Sequence, residues 1–202
     1  MREQLLRALA DSAPEAPLEG ARVAAIALVL LERDGSLDAL LIERAQREGD
    51  PWSGHIALPG GHVEPADVTL QATAERETFE EVGLDLKLAG ERMGRLSDCA
   101  PVRGVPIAVR PFVYLLQALP VMVLNAEVRR ALWVPVSPLL RGERRTKYTL
   151  SRAGQQLEFP AWDIDGSLVW GLTYRVLAEF LAKFSLVSGE NRAMLDNSRQ
   201  PR

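Results

Sequence analysis

Cysteine is nearly missing from this chain, and that absence is the first constraint on its chemistry. Among 202 residues there is one, Cys99, so no disulfide can form within the chain and no cluster of thiolates can hold a metal. Histidine is almost as scarce, with only His55 and His62. A cysteine nucleophile would need one of these two as its base, which makes thiol catalysis a poor expectation. Long apolar runs are missing as well: the longest, VAAIALVLL over 23–31, is about half of what a bilayer span requires. The segment before it is acidic and bears prolines where a signal peptide would be basic, so the sequence predicts a cytoplasmic protein without a membrane partner. Nor is there a charge excess of one sign. A net charge of −3 offers no general attraction to nucleic acid, and the short basic run RGERRTK (141–147) reads as an exposed loop.

What is present is an ordinary globular composition, 47% apolar and 25% charged, in a chain of a length that suits one domain with a small appendage. REQLLRALAD (2–11) has helical apolar spacing and runs into the loop SAPEAPLEG (12–20). RVAAIALVLLER and LDALLIER flank the turn DGS (34–36) and predict a β-hairpin with a strongly buried first strand. LDLKLAG and RMGRLS read as strands, DCAPVRG (98–104) as a loop, and VPIAVRPFVYLLQ (105–117) as a bulged or edge strand because of its prolines. EVRRALWVPV (127–136) is strand-rich and SPLL a helical turn. KYTLSRAGQQLEFPAWDID reads as a second hairpin, and LVWGLTYRVLAEFLAKF (168–184) as a closing helix. Strands on both sides of a central helix predict a mixed α/β sandwich of one domain over 20–186, with an N-terminal helix and loop over 1–19 and a polar tail over 187–202.

The central helix carries the chemistry. ERETFEEVG (75–83) places four glutamates in nine positions. On a helical wheel begun at Val68, the residues Val68, Ala72, Phe79 and Val82 fall in one sector and Glu77, Glu80 and Glu81 in the opposite one, so the first set is expected to pack and the second to concentrate negative charge. Leu70 breaks the pattern, as it would if the helix began a residue or two later. Carboxylates three and four apart repel one another, and a divalent cation removes that penalty. Mg²⁺ and Mn²⁺ take oxygen ligands and leave positions for water and substrate phosphate, which suits a trio of adjacent glutamates. Arg76 is placed to hold one carboxylate through paired hydrogen bonds, and LPGG (58–61) supplies backbone that no side chain shields.

The stretch GHVEPADVTLQATAERETFEEVGL, Gly61 to Leu84, resembles the Nudix box. RETFEEVGL matches its second half, with Thr78 where an apolar residue is usual. Asp67 takes the place of the early glutamate, and the stretch up to Arg76 is one residue longer than the general pattern. The resemblance implies a Nudix-type α/β/α sandwich with a mixed central β-sheet. It also implies Mg²⁺ or Mn²⁺ held by Glu77, Glu80, Glu81 and the Gly61 carbonyl, with Arg76 orienting Glu77. The implied reaction is hydrolysis of the diphosphate in a nucleoside diphosphate derivative. Glu81 is the first choice for the base that takes the proton from water, with Asp98, Glu143 and Asp163 as outlying alternatives. Family habit also allows a homodimer.

Upstream, LLIERAQREGDPWSGHIALPGG (40–61) is similar to the additional motif of coenzyme A pyrophosphatases within that family. Leu40, Leu41, Arg44, Ala45, Gly54 and Pro59-Gly60-Gly61 fit. Ile42 and Leu58 replace a threonine and a phenylalanine, an extra residue separates Arg44 from Gly54, and the second arginine is displaced, with Arg47 near its place. This implies coenzyme A or acyl-coenzyme A as substrate, with ADP-ribose and other nucleoside diphosphate derivatives as the alternative. On that reading Arg44 and Arg47 meet the substrate's further phosphate, and His55, with Trp52, stacks on the adenine; the plainer roles are strand-end arginines and a tryptophan covering a core edge. Trp133, Trp162 and Trp170 read as packing. An alternative of another class is a Nudix-like module that binds nucleotide without cleaving it, and the retained glutamates weigh against it.

Overall fold

The computed structural model describes residues 1–10, 22–49, 52–100, 107–152 and 155–188. The expected loop at 12–20, the boundary at 19–20, most of the 98–104 loop and nearly all of the 187–202 tail lie outside the described residues. A short helix α1 (Arg2–Leu9) comes first, then the strands β1 (Arg22–Arg33), β2 (Ser36–Arg44), β3 (Ile56–Ala57) and β4 (Gly60–His62). Helices α2 (Leu70–Val82) and α3 (Leu86–Ala89) follow, then β5 (Gly90–Arg95), β6 (Ile107–Leu116), β7 (Val128–Pro135) and α4 (Val136–Leu140). Strands β8 (Arg145–Arg152), β9 (Gln155–Ile164) and β10 (Ser167–Trp170) precede the closing helix α5 (Gly171–Ser188).

Seven strands form one mixed sheet in the order β3-β2-β1-β6-β5, with β4 also pairing β1 and β7 also pairing β2. The β1–β6 pairing is parallel; β1–β2, β1–β4, β2–β7 and β5–β6 are antiparallel. The first hairpin forms as expected, with Asp34 (φ 49°) and Gly35 (φ 74°) supplying the left-handed pair that a two-residue turn needs. β1 lies in the middle and is buried on both faces, which is why it reads as a continuous apolar run. Ala24, Ile26, Leu28 and Leu30 join the core under α1 and α5, while Ala25, Ala27, Val29 and Leu31 join the core under α2. Helices therefore cover both faces, and the α/β/α sandwich expected from the sequence is the observed fold. The second hairpin, β8–β9, joins β10 in a separate three-stranded sheet.

Three local expectations fail. LDLKLAG begins with the helical turn α3, because the Asp85 carboxylate accepts from the Lys87 N–H and starts a helix in place of a strand. β6 is an internal strand between β1 and β5; the irregularity falls on β5, between Arg92 and Gly94, and Pro111 lies where the β5 pairing ends. Leu168–Trp170 belong to β10, so the last helix starts at Gly171.

Candidate active site

α2 starts where its capping chemistry places it. The Thr69 hydroxyl accepts from Ala72 N–H at 3.0 Å, and the helix ends at Gly83 (φ 70°), whose N–H reaches the Phe79 carbonyl at 2.8 Å. This start at Leu70 leaves Val68 outside the helix, and the wheel holds for Val82, which is buried, and Glu80, which is exposed, but fails for Phe79 and Glu81. Val68 is 88% exposed and Phe79 56% exposed, whereas Thr73, Ala74, Glu75, Thr78, Glu81 and Val82 are buried. The face turned to the sheet is the one that carries carboxylates and hydroxyls. Each has a partner: Thr78 donates to the Ala74 carbonyl at 2.7 Å, and Glu75 accepts from Tyr114 at 2.9 Å and Gln71 at 2.7 Å.

Glu81 is the most deeply placed of the trio. It is 4% exposed and accepts a hydrogen bond from the Gly60 N–H at 2.9 Å. Burial raises its pKa from the ordinary 4.5 to about 8; the Gly60 bond opposes the shift and the charge of Glu77 adds to it. Glu77 lies beside it and is also shifted upward, first by burial, with Arg76 opposing. Both carboxylates sit against β4, where Gly61 makes the approach of Glu77 possible: a Cβ there would lie 2.4 Å from Glu77 Oε1. Gly60 (φ 143°) is required by β1 instead, since a Cβ would lie 2.3 Å from the Ala25 carbonyl oxygen, and its N–H holds Glu81.

Arg76 organises the outer side. Its Nε and Nη2 donate to both oxygens of Asp67, at 3.1 and 3.0 Å, and Nη2 also reaches the His62 carbonyl at 3.0 Å. From that fixed position it pairs with Glu77 at 3.1 Å and Glu80 at 3.2 Å. Asp67 therefore has a role the box pattern left open: it holds the arginine that holds the glutamates. Hydrogen bonding to Arg76 keeps its pKa down at about 2, helped by Glu64 N–H and Thr73 against the cost of burial. Glu80 is half exposed. Among the described residues no three His, Cys, Asp or Glu side chains converge into a ready ligand set. The oxygen-only donors, two of them crowded together with raised pKa, one buried and one partly buried, nonetheless fit a hard divalent cation.

The upstream residues divide. Arg44 closes β2, and its charge opposes the upward shift of the Glu81 pKa. Arg47 pairs with Glu127 at 3.0 Å. His55 meets Trp170 edge-on at 5.2 Å, within a group where Trp170 stacks on Tyr148 at 3.8 Å, so its ring is engaged in packing. Trp52 is 55% exposed, whereas Trp162 is 2% exposed and packs as expected. The outlying acids are committed elsewhere: Asp98 to Arg110 at 2.8 and 2.7 Å, Glu143 to Arg141, and Asp163 to the Gly166 N–H.

Glu127 escaped the sequence reading. Its charge raises the pKa of both Glu77 and Glu81, and its carbonyl accepts from Ala45 N–H at 2.7 Å. In sequence it is an acid before a strand, and only the pairing of β7 with β2 brings it to the site.

Comparison with known proteins bears on the family and the fold. The family model for the NUDIX domain matches residues 20–152. An uncharacterised protein of Schizosaccharomyces pombe is 40% identical over 114 residues, which is 54% of this chain and 35% of that protein. The chain thus spans little more than a third of that relative's length. A protein of Photorhabdus laumondii named Uncharacterized Nudix hydrolase NudL is 32% identical over 142 residues, 68% of this chain and 73% of that one. Among solved structures, a MutT/nudix family protein from Enterococcus faecalis shares the fold, with a TM-score of 0.53 and 18% identity over 88% of this chain and 66% of that one.

Proposed function

This chain belongs to the NUDIX domain family, and from that premise we propose that it is a divalent-metal-dependent pyrophosphohydrolase acting on a nucleoside diphosphate derivative, coenzyme A or acyl-coenzyme A first among them. The observation that carries the reading is the pairing of buried Glu81, held by the Gly60 N–H, with partly buried Glu77, which lies where a side chain on Gly61 would be. Carboxylates turned inward in this way carry a desolvation cost that apolar packing does not explain.

Glu77, Glu80 and Glu81, with the Gly61 carbonyl, would hold Mg²⁺ or Mn²⁺. When bound, the cation supplies charge neutralisation for the pyrophosphate oxygens and eases deprotonation of the attacking water. The chain's own residues do the rest. Asp67 fixes Arg76, and Arg76 fixes Glu77 and Glu80, so the carboxylates are held in place before substrate arrives. Glu81 takes the proton as water oxygen bonds to phosphorus and the bridging P–O bond breaks, the electron pair leaving with the departing phosphate. Burial raises the Glu81 pKa in the metal-free chain, and the charge of a bound cation would lower it again and keep the carboxylate ionised to accept the proton. Arg44, whose charge opposes the upward shift of the Glu81 pKa, would meet a phosphate of the substrate with its guanidinium. Retention of the Glu77, Glu80 and Glu81 cluster favours a catalyst over a binding module.

The test is a substrate panel of coenzyme A, acyl-coenzyme A, ADP-ribose, diadenosine polyphosphates and nucleoside triphosphates, assayed for released phosphate-containing product with and without Mg²⁺. Metal-dependent cleavage with coenzyme A or its thioester fastest supports the full reading. A different preferred compound replaces the substrate and leaves the reaction standing. Tight nucleotide binding with no turnover at all assigns the chain to the binding class.

A further inference from the structure

Arg47 and Glu127 meet at the rim of the site, and their main chains are pinned while their side chains are not. Arg47 is fixed by Ser53, whose Oγ accepts from the Arg47 N–H at 2.9 Å and donates to its carbonyl at 3.0 Å. Glu127 is fixed on two sides. Its carbonyl accepts from Ala45 N–H at 2.7 Å, and its N–H donates to Asn125 Oδ1 at 2.8 Å. Asn125 N–H in turn donates to the carbonyl of Glu81 at 3.1 Å. Glu127 is thereby strapped between the helix end that carries Glu81 and the strand end that carries Arg44. These main-chain bonds bring Glu127 to the end of α2 that carries Glu81, from where its charge pushes the pKa of Glu77 and Glu81 upward.

The ion pair itself, at 3.0 Å, leaves Arg47 50% and Glu127 44% exposed. A half-exposed pair of this kind is weakly held and readily exchanged for a stronger partner. Each member faces such a partner: a divalent cation among the glutamates competes for the carboxylate, and an anionic phosphate competes for the guanidinium.

Resting on the reading of a cation and pyrophosphate site given above, we infer that the Arg47–Glu127 pair couples the two ligands, with Glu127 turning to the cation and the released Arg47 turning to a substrate phosphate. Either ligand breaks the pair and so lowers the cost of binding the other. Linkage makes the effect reciprocal. Arg47, read from the sequence simply as a phosphate contact, becomes a group whose availability depends on its neighbour.

The experiment uses the full chain and two probes, Mn²⁺ followed by the resonance of the free ion, and α,β-methylene-ADP followed by calorimetry in chelator. Arg47→Ala removes the competitor for Glu127 and is expected to tighten Mn²⁺ binding roughly fivefold, and Glu127→Gln to weaken it by a similar factor. In the double variant the tightening disappears. For α,β-methylene-ADP the signs reverse: Glu127→Gln binds roughly fivefold tighter and Arg47→Ala weaker. Equal Mn²⁺ affinity in wild type and Arg47→Ala, or tightening that persists in the double variant, overturns the coupling. If Glu81→Gln meanwhile abolishes Mn²⁺ binding, the cation site stands without it. Wild-type chain that binds no Mn²⁺, or Glu81→Gln that binds it normally, overturns the site and the coupling together.

Discussion

Helices α2 and α5 cover opposite faces of one sheet and obey opposite rules. α5 turns Val176, Leu177, Phe180, Leu181 and Phe184 into the core. α2 turns in Thr73, Glu75, Thr78 and Glu81 and leaves Phe79 in water. Ala74 and Val82 of α2 do pack into the core, but they share the inward face with these polar groups. The difference teaches where stability and where function reside: α5 contributes to the core that holds the sheet, while α2 gives up apolar burial to hold charged groups where a ligand can use them. The cost is met by hydrogen bonds and open space rather than by apolar packing, through the Gly60 N–H, the room left by Gly61 and the Asp67–Arg76 clamp.

The comparison can be broken most sharply at Glu81. Glu81→Gln is expected to fold and to lose about a thousandfold in kcat, the range for a lost general base; a rate near wild type, measured on the substrate that the panel selects, would make the inward carboxylate ornamental. On the other helix, Phe180→Ala should cost about 3–5 kcal/mol in a denaturant titration and leave kcat of the folded fraction unchanged. Gly61→Ala puts a methyl into the space of the Glu77 carboxylate and should cost about a hundredfold in activity by displacing it.

A pH titration sharpens the contrast further. With chelator present, folded Glu81 holds its proton to about pH 8 while the unfolded chain releases it near 4.5. The folded state binds more protons between those values, so stability falls as pH rises through that window, by at most about 1.4 kcal/mol per unit from this group. Glu81→Gln should flatten the slope. The smallest effect belongs to Phe79→Ala, expected within about 0.5 kcal/mol in the same titration because that ring is largely in water.

The first hairpin, the β-rich middle and the mixed sandwich were legible because burial on both faces of β1 leaves a continuous apolar run, and because Asp34-Gly35 writes its turn into the sequence. The glutamate cluster was legible from spacing and from its resemblance to a known box. The orientation of α2 was not: a wheel assigns the apolar sector to the core, and it cannot see that Gly61 of β4 leaves room for the Glu77 carboxylate. Asp67 gained its role only from the fold of the loop that faces Arg76, and Glu127 only from the strand pairing that carries it to Ala45. His55 and the three outlying acids looked available in sequence because their partners, Trp170, Arg110, Arg141 and the Gly166 N–H, come from other segments or from turn geometry.

The central claim is that the inward carboxylates of α2 exist to hold a divalent cation. Anomalous diffraction from crystals soaked in Mn²⁺ tests it directly. The account predicts a peak within bonding distance of Glu77 and Glu81, beside the carbonyl of Gly61; a clear peak elsewhere, with those carboxylates bare, would contradict it.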